Sequence, residues 1–192
     1  MEQQSRQERY EMIDRLKENP QEFETSPIAQ NDRLAALTVV EQDGSYLQYA
    51  ERHIRDDKEV VMAAVENWGP AIMYATPKMK NDPEVALEAV TRNGKMLAYV
   101  SDNMRNSPRI VKAALKQTKD AERYIGPKLQ ARMAEIEGDL TPLEKITEIR
   151  KQNWREYQKQ LQLDKQRENA QTREQGSMPI SISRTSGKGM ER

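Results

Sequence analysis

Cysteine is absent and histidine occurs once. The chain can therefore form no disulfide, offers no thiol nucleophile and cannot build a thiolate or multi-histidine zinc site. Most metalloenzyme and redox chemistry is excluded on these grounds, and neither metal nor cofactor is expected. An excess of charge of one sign is also missing: 31 Lys and Arg balance 31 Asp and Glu, which gives no bulk attraction to nucleic acid or to an anionic membrane. Within residues 31 to 130 the balance is 15 basic against 14 acidic, whereas a groove that tracks a phosphate backbone needs a positive stripe. No nucleic-acid partner is expected. Long apolar runs are absent too. The longest, Val60 to Val65, falls far below the ~20 residues of a spanning helix, and the acidic, glutamine-rich start lacks the layout of a signal peptide. These absences predict a soluble cytoplasmic protein with no membrane partner. Hydrophobic residues make up only 36% and charged ones 32%, which predicts a thin core with a solvated remainder.

What is present is a repeat. Tyr49, Tyr74, Tyr99 and Tyr124 lie 25 residues apart, and Gly44, Gly69 and Gly94 keep the same step. Val40, Val65, Val90 and Leu115 form another column, and Asp32, Asp57, Asp82 and Ser107 a third. Four units follow, 31–55, 56–80, 81–105 and 106–130. Residues 8–30 match at an offset of 24, with Phe23 under Leu47, so 1–30 reads as a degenerate N-terminal cap unit of a stacked array.

Each unit carries its own helix punctuation. Asp82-Pro83 and Ser107-Pro108 place a capping side chain before a proline at the first helical position, where its missing N–H costs nothing. Val60, Val61, Ala64 and Val65, repeated as Val85, Ala86, Ala89 and Val90, form one helical face. The small Ala column lets a neighbouring helix come close. Gly44, Gly69 and Gly94 are expected to end the helix with positive φ, and a shorter second helix carries Leu47, Ile72, Leu97 and the tyrosines, with a restart at Thr76-Pro77. Such a helical hairpin is too small to bury its apolar face alone, and stacking supplies the missing surface. The fold class is therefore all-α: a short α-solenoid of four 25-residue hairpin repeats, a degenerate cap and a long C-terminal amphipathic helix.

The segments DKEVVMAAVENWGPAIMYA (57–75) and DPEVALEAVTRNGKMLAYV (82–100) resemble the tandem D-x-E-V-V-x-A-A-V-x-x-N-G-x-x-L-x-Y-A units of a bacterial helical repeat family, domain of unknown function forty-one-sixteen. The resemblance covers about residues 31–130 and is strongest in the second and third units. The fourth departs, with Lys119 in the glycine column and Glu122 in the leucine column. The resemblance implies a helical repeat and no activity, so no functional residue is carried over.

Residues 131–140 read as a linker. Thr141, Pro142 and Glu144 then form a capping box that opens a helix over 141–175. Leu143, Ile146, Ile149, Trp154, Tyr157 and Leu161 make its apolar stripe, while Glu148 and Lys151, Glu156 and Lys159, and Asp164 and Arg167 pair at i, i+3. Residues 176–192, rich in Ser and Gly, are expected to be disordered.

No catalytic, metal or cofactor residue stands out. His53 shares a column with Lys78, Asn103 and Lys128, the composition of a solvated position rather than of a general base. The tyrosines could stack bases, but a repeated aromatic in one register is expected to be inter-repeat core. Trp68 is different, because its column otherwise reads Asp43, Asn93 and Thr118. It is a candidate protein-binding anchor, set against packing under its own loop. Trp154 and Tyr157 are the other two candidates, set against docking within the molecule. The leading functional reading is a non-catalytic module that binds an unknown protein partner. A secreted or mobile-element-borne effector, supported only by the weakly basic tail, is the alternative, and an unrecognised enzyme comes third.

Overall fold

The computed structural model describes residues 2–136 and 140–175, with side chains over 5–136 and 140–168. Every regular element among the described residues is helical. The chain divides into two compact units, Met1–Arg150 and Lys151–Arg192. The expected disordered tail, and residues 137–139 of the expected linker, lie outside the described residues.

Each 25-residue repeat proves to have three elements rather than two. A long helix comes first: Arg33–Val40, Lys58–Asn67, Pro83–Arg92 and Pro108–Gln117. A 3-10 helix follows, at Gly44–Tyr49, Gly69–Met73, Gly94–Ala98 and Lys119–Tyr124. A third short helical segment closes the unit, at Ile54–Asp56, Pro77–Lys80, Asp102–Arg105 and Pro127–Ala134. The long helices begin where Asp32, Asp57 and Asp82 each accept two backbone N–H groups with one carboxyl oxygen. Ser107 makes no such bond. Thr76 and Ser101 restart the chain in the same manner before the third segment.

Long helix packs on long helix in chain order, and 3-10 helix on 3-10 helix. The face predicted from spacing is the buried one: Val60, Val61, Ala64, Val65, Val85, Ala86, Ala89 and Val90 are fully enclosed, as are Leu47, Ile72 and Leu97. Burial of each large aliphatic side chain contributes about 1.5–3 kcal/mol. No unit has this face covered without its neighbours.

The glycine column has a different cause from the one expected. None of Gly44, Gly69 and Gly94 has positive φ, and each opens a 3-10 helix instead of closing an α-helix. Glycine is needed because the following unit passes over it. A Cβ at Gly94 would lie 2.5 Å from the Ala114 oxygen, and one at Gly44 would overlap the Ala64 oxygen. The Gly and Ala columns are therefore two sides of one contact. Lys119, in the glycine column of the fourth unit, borders a depression lined also by Leu115, Thr141, Pro142 and Leu143.

Hydrogen bonds repeat with the same period. The backbone N–H of Glu51, Thr76, Ser101 and Gly126 donates to the carbonyl of Gln30, Arg55, Lys80 and Arg105 respectively, at 2.8–3.3 Å. Beside these rungs Thr76 donates its hydroxyl to Asp56, and Ser101 donates to Asn81 at 2.6 Å. An ion-pair series joins the long-helix starts: Arg9 with Asp32, Arg33 with Asp57 and Glu59, Lys58 with Asp82 and Glu84.

Both ends of the array are covered. Helix Glu2–Glu18 packs on Arg33–Val40 and buries Met12, Ile13 and Leu16, and Phe23 is fully buried. At the other end Leu129, Met133, Ile146 and Ile149 are buried. Ile146 and Ile149 belong to helix Pro142–Gln175, which opens with a reciprocal capping box: Thr141 N–H donates to Glu144 Oε2 at 2.8 Å, and Glu144 N–H to Thr141 Oγ1 at 3.4 Å.

Candidate functional site

The 3-10 helices form the edge on which the sequence candidates of the array fall. At their first position Asp43, Asn93 and Thr118 each cap the helix, accepting the N–H two residues on at 2.8–3.3 Å. Trp68 occupies the same place and makes no side-chain cap. Its ring stacks on Tyr74, with centroids 6.3 Å apart and planes at 26°, and the residue is 36% exposed. Trp68 thus packs on its own unit and keeps part of its ring open.

The tyrosine column is not uniform core. Tyr49, Tyr74 and Tyr124 are half-buried, whereas Tyr99 is 42% exposed. The expectation of inter-repeat core fails at Tyr99: Tyr74 at the same C-cap is covered by the stacked Trp68 ring, and the third unit has Asn93 in place of that ring. Met73 is also exposed, so Trp68, Met73, Tyr74 and Tyr99 make an aromatic and apolar edge across the second and third units. At Tyr49 the edge is closed off: burial and then Glu24, which accepts its hydrogen bond, push the phenol up.

Trp154 and Tyr157, in the second unit, lie ring to ring with centroids 5.9 Å apart and are 62% and 58% exposed. After Ile149 the helix carries apolar residues too sparsely among Gln, Lys and Arg to enclose an indole.

His53 is exposed and lines an open depression of about 590 Å³ with Asp56, Thr76 and Lys78. The Thr76 hydroxyl, then Lys78, hold the Asp56 carboxyl below the usual carboxylate range. This is poor ground for base catalysis, because the Thr76–Asp56 bond is the same inter-unit rung that Ser101 and Asn81 make one period later. No group of metal-ligating side chains occurs among the described residues, and none of the helices searched there is long and apolar enough to cross a membrane.

One feature of the edge escaped sequence reasoning. The column Gln30, Arg55, Lys80, Arg105 and Gln130 closes the units with long polar side chains, of which Gln30, Arg55, Lys80 and Gln130 donate to main-chain oxygens and Arg105 pairs with Asp102. Its signal was a run of basic residues at the repeat period, masked by the neutral total charge.

A family model matches the chain twice, over residues 32–80 and 82–130, and together the matches cover half of it. The chain belongs to the family described as Domain of unknown function (DUF4116). One DUF4116 match spans two of the 25-residue units, so the four units are two family repeats. No curated protein and no solved structure matches the chain. DUF4116 membership supports the helical repeat and names no activity.

Proposed function

We propose that the chain is a non-catalytic module that binds another protein, through the 3-10 edge of its repeats and through the exposed aromatic pair Trp154 and Tyr157. The observation that carries this reading is Trp68. The other units place a capping side chain there, and this unit gives up the cap for a partly open indole stacked on Tyr74. A substitution that removes a helix cap and exposes an aromatic ring is explained by what the ring touches outside the molecule, since aromatic anchors dominate binding energy at protein interfaces. A stacked array also supplies an extended surface for such an anchor, and the described residues offer no convergent set of nucleophile, base and oxyanion donors.

The test is cross-linked capture from the native cell with the full chain as bait. Wild type should retain a discrete protein. Trp68→Asn, which restores the cap made by Asn93, should retain it about thirtyfold less well, the ratio set by ~2 kcal/mol of hot-spot energy, in a chain still folded at the assay temperature, the regained cap offsetting part of the lost stacking on Tyr74. Equal retention by Trp68→Asn, Trp154→Ala and Tyr157→Ala would exclude these aromatics as anchors.

A further inference from the structure

The column that closes the units serves main-chain carbonyls. Gln30 Nε2 donates to the Phe23 and Glu24 oxygens at 2.8 Å, and Gln130 Nε2 to the Ile125 oxygen at 3.0 Å. Lys80 Nζ donates to the Met73 oxygen at 2.8 Å, and an Arg55 terminal nitrogen to the Tyr74 oxygen at 3.3 Å. A neutral amide suffices at both ends of the column, so the carbonyls do not require charge. The three central positions are nevertheless cationic, and the charge is expensive where it stands. The Nε atoms of Arg55 and Arg105 are buried without a hydrogen-bond partner among the described residues. Burial, then Arg55, hold the half-buried Lys80 ammonium below its usual range. Folding alone favours glutamine at all five positions, because burial and like-charge repulsion both act against the cations. Arg105 has Asp102 as a partner, while Arg55 and Lys80 face carbonyl oxygens.

The carbonyls they hold belong to Met73 and Tyr74, at the end of the 3-10 helix that carries the aromatic edge. A positive row therefore runs beside an aromatic row, both with the period of the stack. Neighbouring packed helices lie about 8–10 Å apart. A polyproline II strand has three residues per turn and rises ~3.1 Å per residue, or about 9 Å per turn. Residues i, i+3 and i+6 of such a strand thus fall on one face at about the spacing general to packed helices. Resting on the reading of the chain as a protein-binding module, we infer that the edge formed by Arg55, Lys80 and Arg105 with Trp68, Tyr74 and Tyr99 binds an extended acidic peptide in the polyproline II conformation. A carboxylate at every third residue meets one cation per unit, and the residues between lie on the rings.

The experiment is fluorescence anisotropy on the full chain with a labelled peptide of repeated Asp-Pro-Pro triplets. A peptide of the same composition with its aspartates contiguous serves as the register control, and an oligothymidylate of equal charge as a different polyanion. The periodic peptide should bind at least ~10-fold more tightly than the clustered one. Lys80→Gln keeps the carbonyl bond, as Gln30 does with the oxygen seven residues back, and Arg55→Gln removes the charge whose donor reaches forward to Tyr74; each should weaken binding ~10-fold, the value of one charge-assisted hydrogen bond, with the melting temperature of Lys80→Gln unchanged or raised. Equal binding of the two peptides, no binding of either, an unchanged affinity in both Gln variants, or tighter binding of the oligothymidylate overturns the inference. If Trp68→Asn releases the captured cellular partner while Lys80→Gln and Arg55→Gln do not, the module stands and the acidic peptide falls.

Discussion

Replacing Gly94 by alanine sets two physical effects of opposite sign against each other. Gly94 does not have positive φ, so a methyl group costs nothing in local backbone strain. By restricting the unfolded chain it would stabilise the protein by about 0.4–1 kcal/mol. Packing opposes this. The new Cβ would sit 2.5 Å from the Ala114 oxygen, 2.9 Å from Thr118 Cγ2 and 3.0 Å from Gln117 Oε1. The Gln117 amide can swing away, at the loss of its 3.0 Å bond from Gly94 N–H, about 0.5–1.5 kcal/mol. The Ala114 oxygen cannot, because it belongs to helix Pro108–Gln117 and accepts from Thr118 N–H at 2.9 Å. Overpacking of this kind costs roughly 1–3 kcal/mol. The balance is a loss of about 0.5–4 kcal/mol, or a fall of roughly 2–4 °C in melting temperature for each kcal/mol at this chain length. Gly69→Ala should lose somewhat less: its new Cβ would meet Arg92 Cβ, fixed to helix Pro83–Arg92, at 2.8 Å, but its nearest backbone atom, the Ala89 oxygen, is 3.4 Å away. Thermal melts and urea titrations of the full chain read both. A Gly94→Ala protein that melts at or above wild type, or below which Gly69→Ala falls, refutes close approach as the reason for the glycine column.

Three further outcomes can be measured on the same footing. Burial acts to raise the carboxyls of Asp32, Asp57 and Asp82, but bonds from Arg9, Arg33 and Lys58 and from backbone N–H groups outweigh it and leave all three lowered. Their stabilisation is present above the unfolded value near pH ~4 and is lost as pH falls through the folded value. Melting temperature should therefore drop below pH ~4, less steeply in Asp57→Asn, which keeps the cap; a flat profile into the acid range counts against the assignment. Ile146→Ala should cost roughly 2–5 kcal/mol in urea, as for a filled core position, while exposed Trp154→Ala should stay within about 0.5 kcal/mol of wild type; equal effects would contradict the burial pattern. Tyr74→Ala should lower stability more than Tyr99→Ala, the latter by roughly 1 kcal/mol or less, and the reverse order would show that Tyr99 is the packed member.

The period, the helix starts and the buried face were legible because each leaves a local mark. Asp82-Pro83 announces a helix within two residues, and Val85, Ala86, Ala89 and Val90 announce its inner side. The glycines were legible as a column but not as a cause. Positive φ and close approach of a neighbouring backbone leave the same letter in the sequence, and only the Ala114 oxygen over Gly94 separates them. The 3-10 geometry after Gly69 was hidden for a related reason, since five residues cannot distinguish three from 3.6 per turn. At the candidate site Trp68 was visible as a departure from its column, whereas the exposure of Tyr99 and the carbonyl bonds of Lys80 depend on where the next unit lies. Neither has a signature inside its own unit.

The backbone rungs from Glu51, Thr76, Ser101 and Gly126 back to Gln30, Arg55, Lys80 and Arg105 also govern how such a chain can change length. Excision of one whole period, residues 82–106 for example, brings the donors and acceptors of the remaining units back into register, so the shortened array can close on the same bonds. Excision of one residue fewer leaves every later donor a residue out of step, with its long-helix face rotated by about 100°. An array of this kind therefore changes length with least disruption in blocks of one whole period.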